Sequence, residues 1–199
     1  MNTTQTVPLF PLAQGLFPDG RLRLTIFEVR YLHLMRRCQQ ENIMFGVVPL
    51  AEGGEVQKAG YVERLHDWGC LAKLIDMNEI QPAVLAVTCI GTQRFRLGAH
   101  SRGAYGLWSG DIDCVDRDPA CAISESMQAT ADQLGKLIAS VQREGMEERL
   151  PFARPYALED AGWVANRWAD ILPLPTDEKV RLLAEPDPIR RLERVSTWL

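Results

Sequence analysis

The chain has 199 residues, 46% of them hydrophobic, 24% charged and 8% aromatic, the values of a globular protein whose core needs neither disulfide nor metal. They exclude a coiled coil, a collagen-like repeat and a disordered tail, and the length allows one large domain or two small ones. A net charge of −4 and a pI near 5.5 argue against a dedicated binder of nucleic acid or anionic membrane, since both need a basic footprint.

The apolar pattern alternates with period two as far as Arg117-Asp118-Pro119 and has a helical period after it. This divides the chain into a β-rich part, 1–118, and an α part, 119–199. Val7–Leu12 opens the first part, and its two prolines predict an edge strand. Pro18-Asp19-Gly20 predicts a turn. Arg21–Ile26 alternates as a half-buried strand. Glu28–Gln40 switches to helical spacing, with Tyr31, Leu32, Leu34, Met35 and Cys38 on one face. Glu28 is expected at the helix start, facing unpaired N–H groups. Phe45–Leu50 is another strand, and the polar, Gly-rich Ala51–Gly60 a mobile loop. Trp68–Met77 and Ala83–Ile90 read as strands joined through Asn78–Pro82. The second is apolar on both faces and therefore central. Gly91-Thr92-Gln93 predicts a turn into Arg94–Leu97, and Tyr105–Val115 the last strand. Six or seven short strands with one helix fit a small closed or nearly closed barrel.

In the α part a long helix is expected over Cys121–Glu144, with an apolar stripe from Ile123 to Val141. A connector with Pro151 and Pro155 leads to a second helix, Leu158–Leu172. Thr176 is expected to cap a short helix, and Asp187-Pro188 to start the last one as N-cap and first-turn proline.

Chemistry is mostly absent. There is no G-x-x-x-x-G-K-[ST] phosphate loop, no G-x-G-x-x-G, no G-x-S-x-G elbow, and His33, His66 and His100 form no metal-ligand spacing. Four lysines leave 18 of the 22 basic residues as arginine, so a lysine-centred active site has few candidates. No catalytic residue, metal site or cofactor is expected. Asp111 and Asp113 share one face of a strand, the position of a solvated barrel surface. Five cysteines, an odd number without C-x-x-C, predict free thiols in a reducing compartment. No apolar run is long enough to span a membrane, and the first residues lack a secretory pattern, so a cytoplasmic protein is expected. One aromatic residue stands out. On the second α helix, Leu158, Ala161, Val164, Ala165, Trp168, Ile171 and Leu172 share a stripe, and Trp163 lies off it with Arg167 one turn away. An indole there either packs on another element or marks a contact surface.

Several segments together resemble the Lon N-terminal (substrate-binding) domain family. They are Pro8-Leu9-Phe10-Pro11-Leu12, Phe17-Pro18-Asp19-Gly20, Ile26-Phe27-Glu28-Val29-Arg30-Tyr31, Phe45-Gly46-Val47-Val48 and Gly91-Thr92-Gln93-Arg94-Phe95-Arg96-Leu97. Leu172-Pro173-Leu174-Pro175, Glu178-Lys179, Leu182-Leu183 and Arg191-Leu192 complete the set. The resemblance implies an α+β fold: a PUA-like β pseudo-barrel with one helix, followed by a C-terminal α-helical bundle. It makes Glu28, Arg30, Tyr31, Gly91, Arg94 and Phe95 motif residues that hold the fold. The 199 residues carry neither the nucleotide loop of an AAA+ module nor a Ser-Lys protease domain, so a stand-alone form without catalysis is expected. Its partners would be unfolded or degron-bearing polypeptides, and a full-length Lon protease. The expected site is an apolar groove between barrel and bundle with arginines at its rim, Trp163 and Arg167 being the candidates. Two other readings are an RNA-binding PUA-like module, by fold analogy, and a small enzyme with an unrecognised site.

Overall fold

A computed structural model describes residues 4–54 and 63–199. Five strands close into a ring. β1 (Gln5–Leu12) pairs antiparallel with β7 (Trp108–Cys114), β7 with β6 (Val84–Arg102), β6 with β5 (Trp68–Gln81), and β5 with β3 (Phe45–Glu52). β3 then returns parallel to β1 and completes the circle. Two strands hang on the ring: β2 (Arg21–Ile26) on β6, and the two-residue β4 (Arg64–Leu65) on β3.

The first strand is therefore inside the barrel, not at an edge. Its pairing is staggered: Gln5–Leu9 face β7 and Leu9–Leu12 face β3. Pro8 meets a neighbour strand on one side only and Pro11 on the other side only. Each proline so finds locally the one-sided pairing that a strand proline needs.

The turn expected at Gly91-Thr92-Gln93 is also absent, because β6 runs through it. Here the long strand changes neighbour. β2 pairs with it up to Ile90, and β7 takes over from Phe95. A bulge between Cys70 and Ala72 on β5 bends the pair at the same level. β5 continues to Gln81, past the expected loop, and the hairpin closes on Pro82-Ala83 alone, with Ala83 at φ 61°. Tyr105 stands at φ 58° in a 3₁₀ turn, so the last strand starts at Trp108. Of the loop expected at 51–60, Ala51 and Glu52 belong to β3, and 55–60 lie outside the described residues.

α1 (Val29–Glu41) buries Leu32, Leu34, Met35 and Cys38 against Leu22, Leu85, Val87 and Cys89. A second apolar cluster, with Leu9, Val48, Leu71, Phe95, Leu97 and Ile112, fills the barrel.

The helical part starts late. Residues 121–124 are not helical, and Cys121 and Ala122 pair with Asp160 and Ala161. α2 spans Gln128–Arg143 after a 3₁₀ turn. α3 spans Ala161–Ile171, capped by Asp160, whose carboxylate accepts from Trp163 N (2.7 Å) and Cys121 N (3.0 Å). α4 (Thr176–Ala184) begins on Thr176, whose hydroxyl donates to Ala13 O (3.0 Å) rather than capping. α5 (Pro188–Ser196) has the expected cap, Asp187 accepting from Ile189 N at 2.9 Å. Leu134, Ile138, Val164, Trp168, Leu183, Leu192 and Val195 form its core, and Phe17 from the barrel part is buried among them.

Candidate functional site

A cleft of about 320 Å³ lies where β6, the linker after β7 and the start of α3 meet. Trp163 and Asn166 form its α3 wall, and Thr92 and Arg94 its β6 wall. The lining is more acidic than the expected arginine rim. It includes Asp19, Asp116, Asp118, Glu159 and Asp160 besides Arg94 and Arg117. Asp19 is paired with Arg117 at 2.8 Å.

Trp163 is half-buried. Its ring meets Phe152 edge-on at 5.6 Å and Tyr156 at 6.2 Å. Arg167 is its neighbour, with Cζ 5.5 Å from the indole centroid and 5.4 Å from the Phe152 ring. Arg167 is wholly buried, however. Its Nη2–H donates to Pro18 O (2.6 Å) and lies 2.8 Å from Asp170 Oδ2. Only the indole of this pair reaches the cleft. Burial pushes the Asp170 carboxyl up to about 6, against the pull of Arg167 and Lys179.

Arg94 and Asp118 of this lining belong to a charged clamp that Arg191 completes. Arg94 Nη2 donates to Asp118 Oδ1 (2.6 Å), and Arg191 Nη1 to Asp118 Oδ2 (2.5 Å). The same two guanidiniums donate to the carbonyls of Leu182, Leu183 and Glu185. Those are the open carbonyls at the end of α4, where cations are favoured. Desolvation, and then the Arg191 charge, lower the pKa of Arg94, while Asp118 opposes both.

The other motif residues sit around the barrel. Glu28 occupies the N-cap of α1, but its carboxylate accepts from Arg30 Nε (3.1 Å) and not from helix N–H groups. Arg30 also donates to Gly106 O (3.1 Å) and lies over the Tyr31 ring. Tyr31 stacks on Phe10 at 3.9 Å, and burial raises its phenol above the usual range. Phe95 is buried against Gly46 and Gly69, where an added Cβ would collide with the ring. Gly91 N–H donates to Gly20 O, and Asp19 N–H to Gly91 O, both at 2.8 Å. A Cβ on Gly91 would stand 2.1 Å from Phe17 O.

Two more openings lie on the barrel. One, of about 410 Å³, is bordered by Arg30, His33, Tyr105 and Trp108. The other, of about 90 Å³, lies between Phe10, Leu12, Leu24, Phe27 and Tyr31, with Thr25 and Glu28 also lining it. Among the described residues no group of His, Cys, Asp and Glu could hold a metal ion, and no helix is long and apolar enough to cross a membrane.

Asp118, Asp170 and Arg191 escaped the sequence reading as partners of the cleft. A signal was present for the arginines. Arg191 shares the face of Pro188, Leu192 and Val195, and Arg167 that of Val164, Trp168 and Ile171. A charge on an apolar stripe is buried and needs a partner.

The chain belongs to the ATP-dependent protease La (LON) substrate-binding domain family, whose model matches residues 6–199. It is similar to a solved Lon N-terminal domain protein from Xanthomonas campestris at 27% identity and a TM-score of 0.76, over 98% of this chain and 99% of that one. The N-terminal domain of Mycobacterium avium complex Lon protease, 18% identical, shares the fold with a TM-score of 0.61 over 98% and 97% of the two chains.

Proposed function

We propose that this chain is a recognition module for exposed segments of unfolded or degron-bearing polypeptides, without catalysis of its own. Trp163 at the mouth of the barrel–helix cleft supports this reading most directly. It is a half-buried indole held in place by Phe152, Tyr156 and the buried Arg167. Such a ring offers a large apolar face at little conformational cost. Arg167 acts from beneath as its support. A full-length Lon protease is the proposed partner. The proposed setting is the cytoplasm, consistent with five cysteines that form no disulfide among the described residues.

The test is titration of intrinsic tryptophan fluorescence with reduced, carboxymethylated α-lactalbumin, with an RNA of similar length as control. Saturable binding of the polypeptide alone is expected. Trp163→Ala should weaken it about tenfold while the circular dichroism spectrum is retained. Unchanged affinity removes Trp163 from the site. Binding of RNA alone, with a steep salt dependence, replaces the reading with a nucleic-acid one.

A further inference from the structure

β2 has one paired and one open side. Arg21 N–H donates to Pro151 O at 2.6 Å, away from β6, and Gly20 is bridged antiparallel to Phe152. That single bond fixes the alternation along the strand. Leu22, Leu24 and Ile26 turn their backbone groups to β6, and Arg21, Arg23 and Thr25 turn theirs outward. The segment Leu150–Phe152 thus already touches this edge through one isolated bridge and one backbone bond. It stops at Leu150, whose carbonyl accepts from Arg23 Nη1 at 3.5 Å, and the chain leaves through the 3₁₀ turn Glu147–Arg149. Beyond it, the N–H and C=O of Arg23 and Thr25 have no backbone partner among the described residues.

The open stretch borders an apolar surface. The 90 Å³ opening against Phe10, Leu12 and Tyr31 lies beside it. Phe27 and Val29, at 55% and 56% exposure, extend that surface past the strand. Arg21 and Arg23 carry positive charge on the strand itself, and Glu28, which also lines the opening, is paired with Arg30 at 3.1 Å. Phe152 joins this edge to the cleft, since its ring packs on Trp163 while its backbone pairs with Gly20.

We propose that an extended segment of a polypeptide substrate adds to β2 at Arg23–Ile26 as an antiparallel strand, continuing the line of Leu150–Phe152. An apolar side chain of the segment enters the opening over Phe10, Leu12 and Tyr31, and an acidic one on its other face lies beside Arg23. Main-chain bonds supply affinity without sequence, and the opening and the arginines supply preference. This rests on the polypeptide-recognition reading and names a surface for it.

The probe is a short fluorescein-labelled peptide of alternating valine and threonine with one glutamate, followed by anisotropy. Thr25→Pro removes an N–H that no sheet bond uses and puts a ring on the open side, so the protein should remain folded. It should weaken the peptide about tenfold, the loss expected for a pair of edge hydrogen bonds. On the wild-type protein, N-methylation of alternate peptide residues should abolish binding in one phase of the alternation and spare it in the other. Lysine in place of glutamate should weaken binding. Equal binding by Thr25→Pro and by both N-methylated peptides overturns the edge proposal, even while carboxymethylated α-lactalbumin still binds. If the wild-type protein binds neither, the recognition reading falls and the edge with it. If Thr25→Pro instead abolishes self-association that the peptide does not compete with, the occupant is a second copy of this chain and the proposal is overturned.

Discussion

Arg167 carries a full charge into the space between Phe152, Trp163 and Asp170. Asp170 balances it, yet burial raises this carboxyl to about 6 from 3.8. A carboxyl whose folded value lies above its unfolded one holds its proton more tightly in the native state. Its contribution is complete below about pH 4 and is lost as the pH rises through about 6. Asp170→Asn does not titrate in this window. The wild-type protein should therefore lose stability relative to that variant between about pH 4 and pH 6, by up to about 3 kcal/mol. Urea denaturation of both proteins across the window measures the difference. If the difference changes the other way, the Arg167 and Lys179 charges outweigh desolvation. This pair shows what a linear sequence conveys at the scale of one residue. The helix wheel placed Arg167 next to Trp163, and they are neighbours. The apolar face and the i,i+3 spacing to Asp170 already point to a buried pair, but Phe17 and Gly20, which cover Asp170, are brought there only by the tertiary fold.

Among the elements, β6 and the loop before β2 depend on each other. The loop residues Phe17, Asp19 and Gly20 bind back on Gly91 through two backbone hydrogen bonds and a contact too close for any side chain. Gly91→Ala must push Phe17 out of the helical core or break both bonds. The expected cost is about 3 kcal/mol, or a melting temperature lower by about 6–12 °C in calorimetry. A change within about 1 °C would mean that the loop shifts freely. Most strands and helices were legible in their periodicity, including the barrel, α1 and the Asp187 cap. The errors fell where local chemistry has two structural solutions. Gly91-Thr92-Gln93 has the composition of a turn, but here it marks a strand changing partners. Two prolines usually mean an edge, but staggered pairing gives each its own unpaired side. Glu28 has the position of a capping carboxylate, but Arg30 competes for it at 3.1 Å and wins.

Across the whole molecule, the proposed subdomains 1–118 and 119–199 meet at Asp118 itself. That carboxylate bridges Arg94 of the barrel and Arg191 of the last helix, and both arginines hold the end of α4. Asp118→Asn leaves two buried guanidiniums without their counter-charge, and a loss of about 3–5 kcal/mol is expected in urea denaturation. If the loss is below about 1 kcal/mol, the carbonyls of α4 suffice on their own. The barrel's closure also bears on how the chain is made. β1 leaves the ribosome before the other strands of the barrel, but Gln5 pairs with Ile112 and Leu9 with Trp108. Nearly all of the barrel must be synthesised before the first strand can find its second partner. Such non-local pairing folds slowly, and in the interval only Leu9–Leu12 has its partner, β3, while Gln5–Pro8 waits for β7. On the function proposed above, the domain thus passes, during its own synthesis, through a state resembling what it binds.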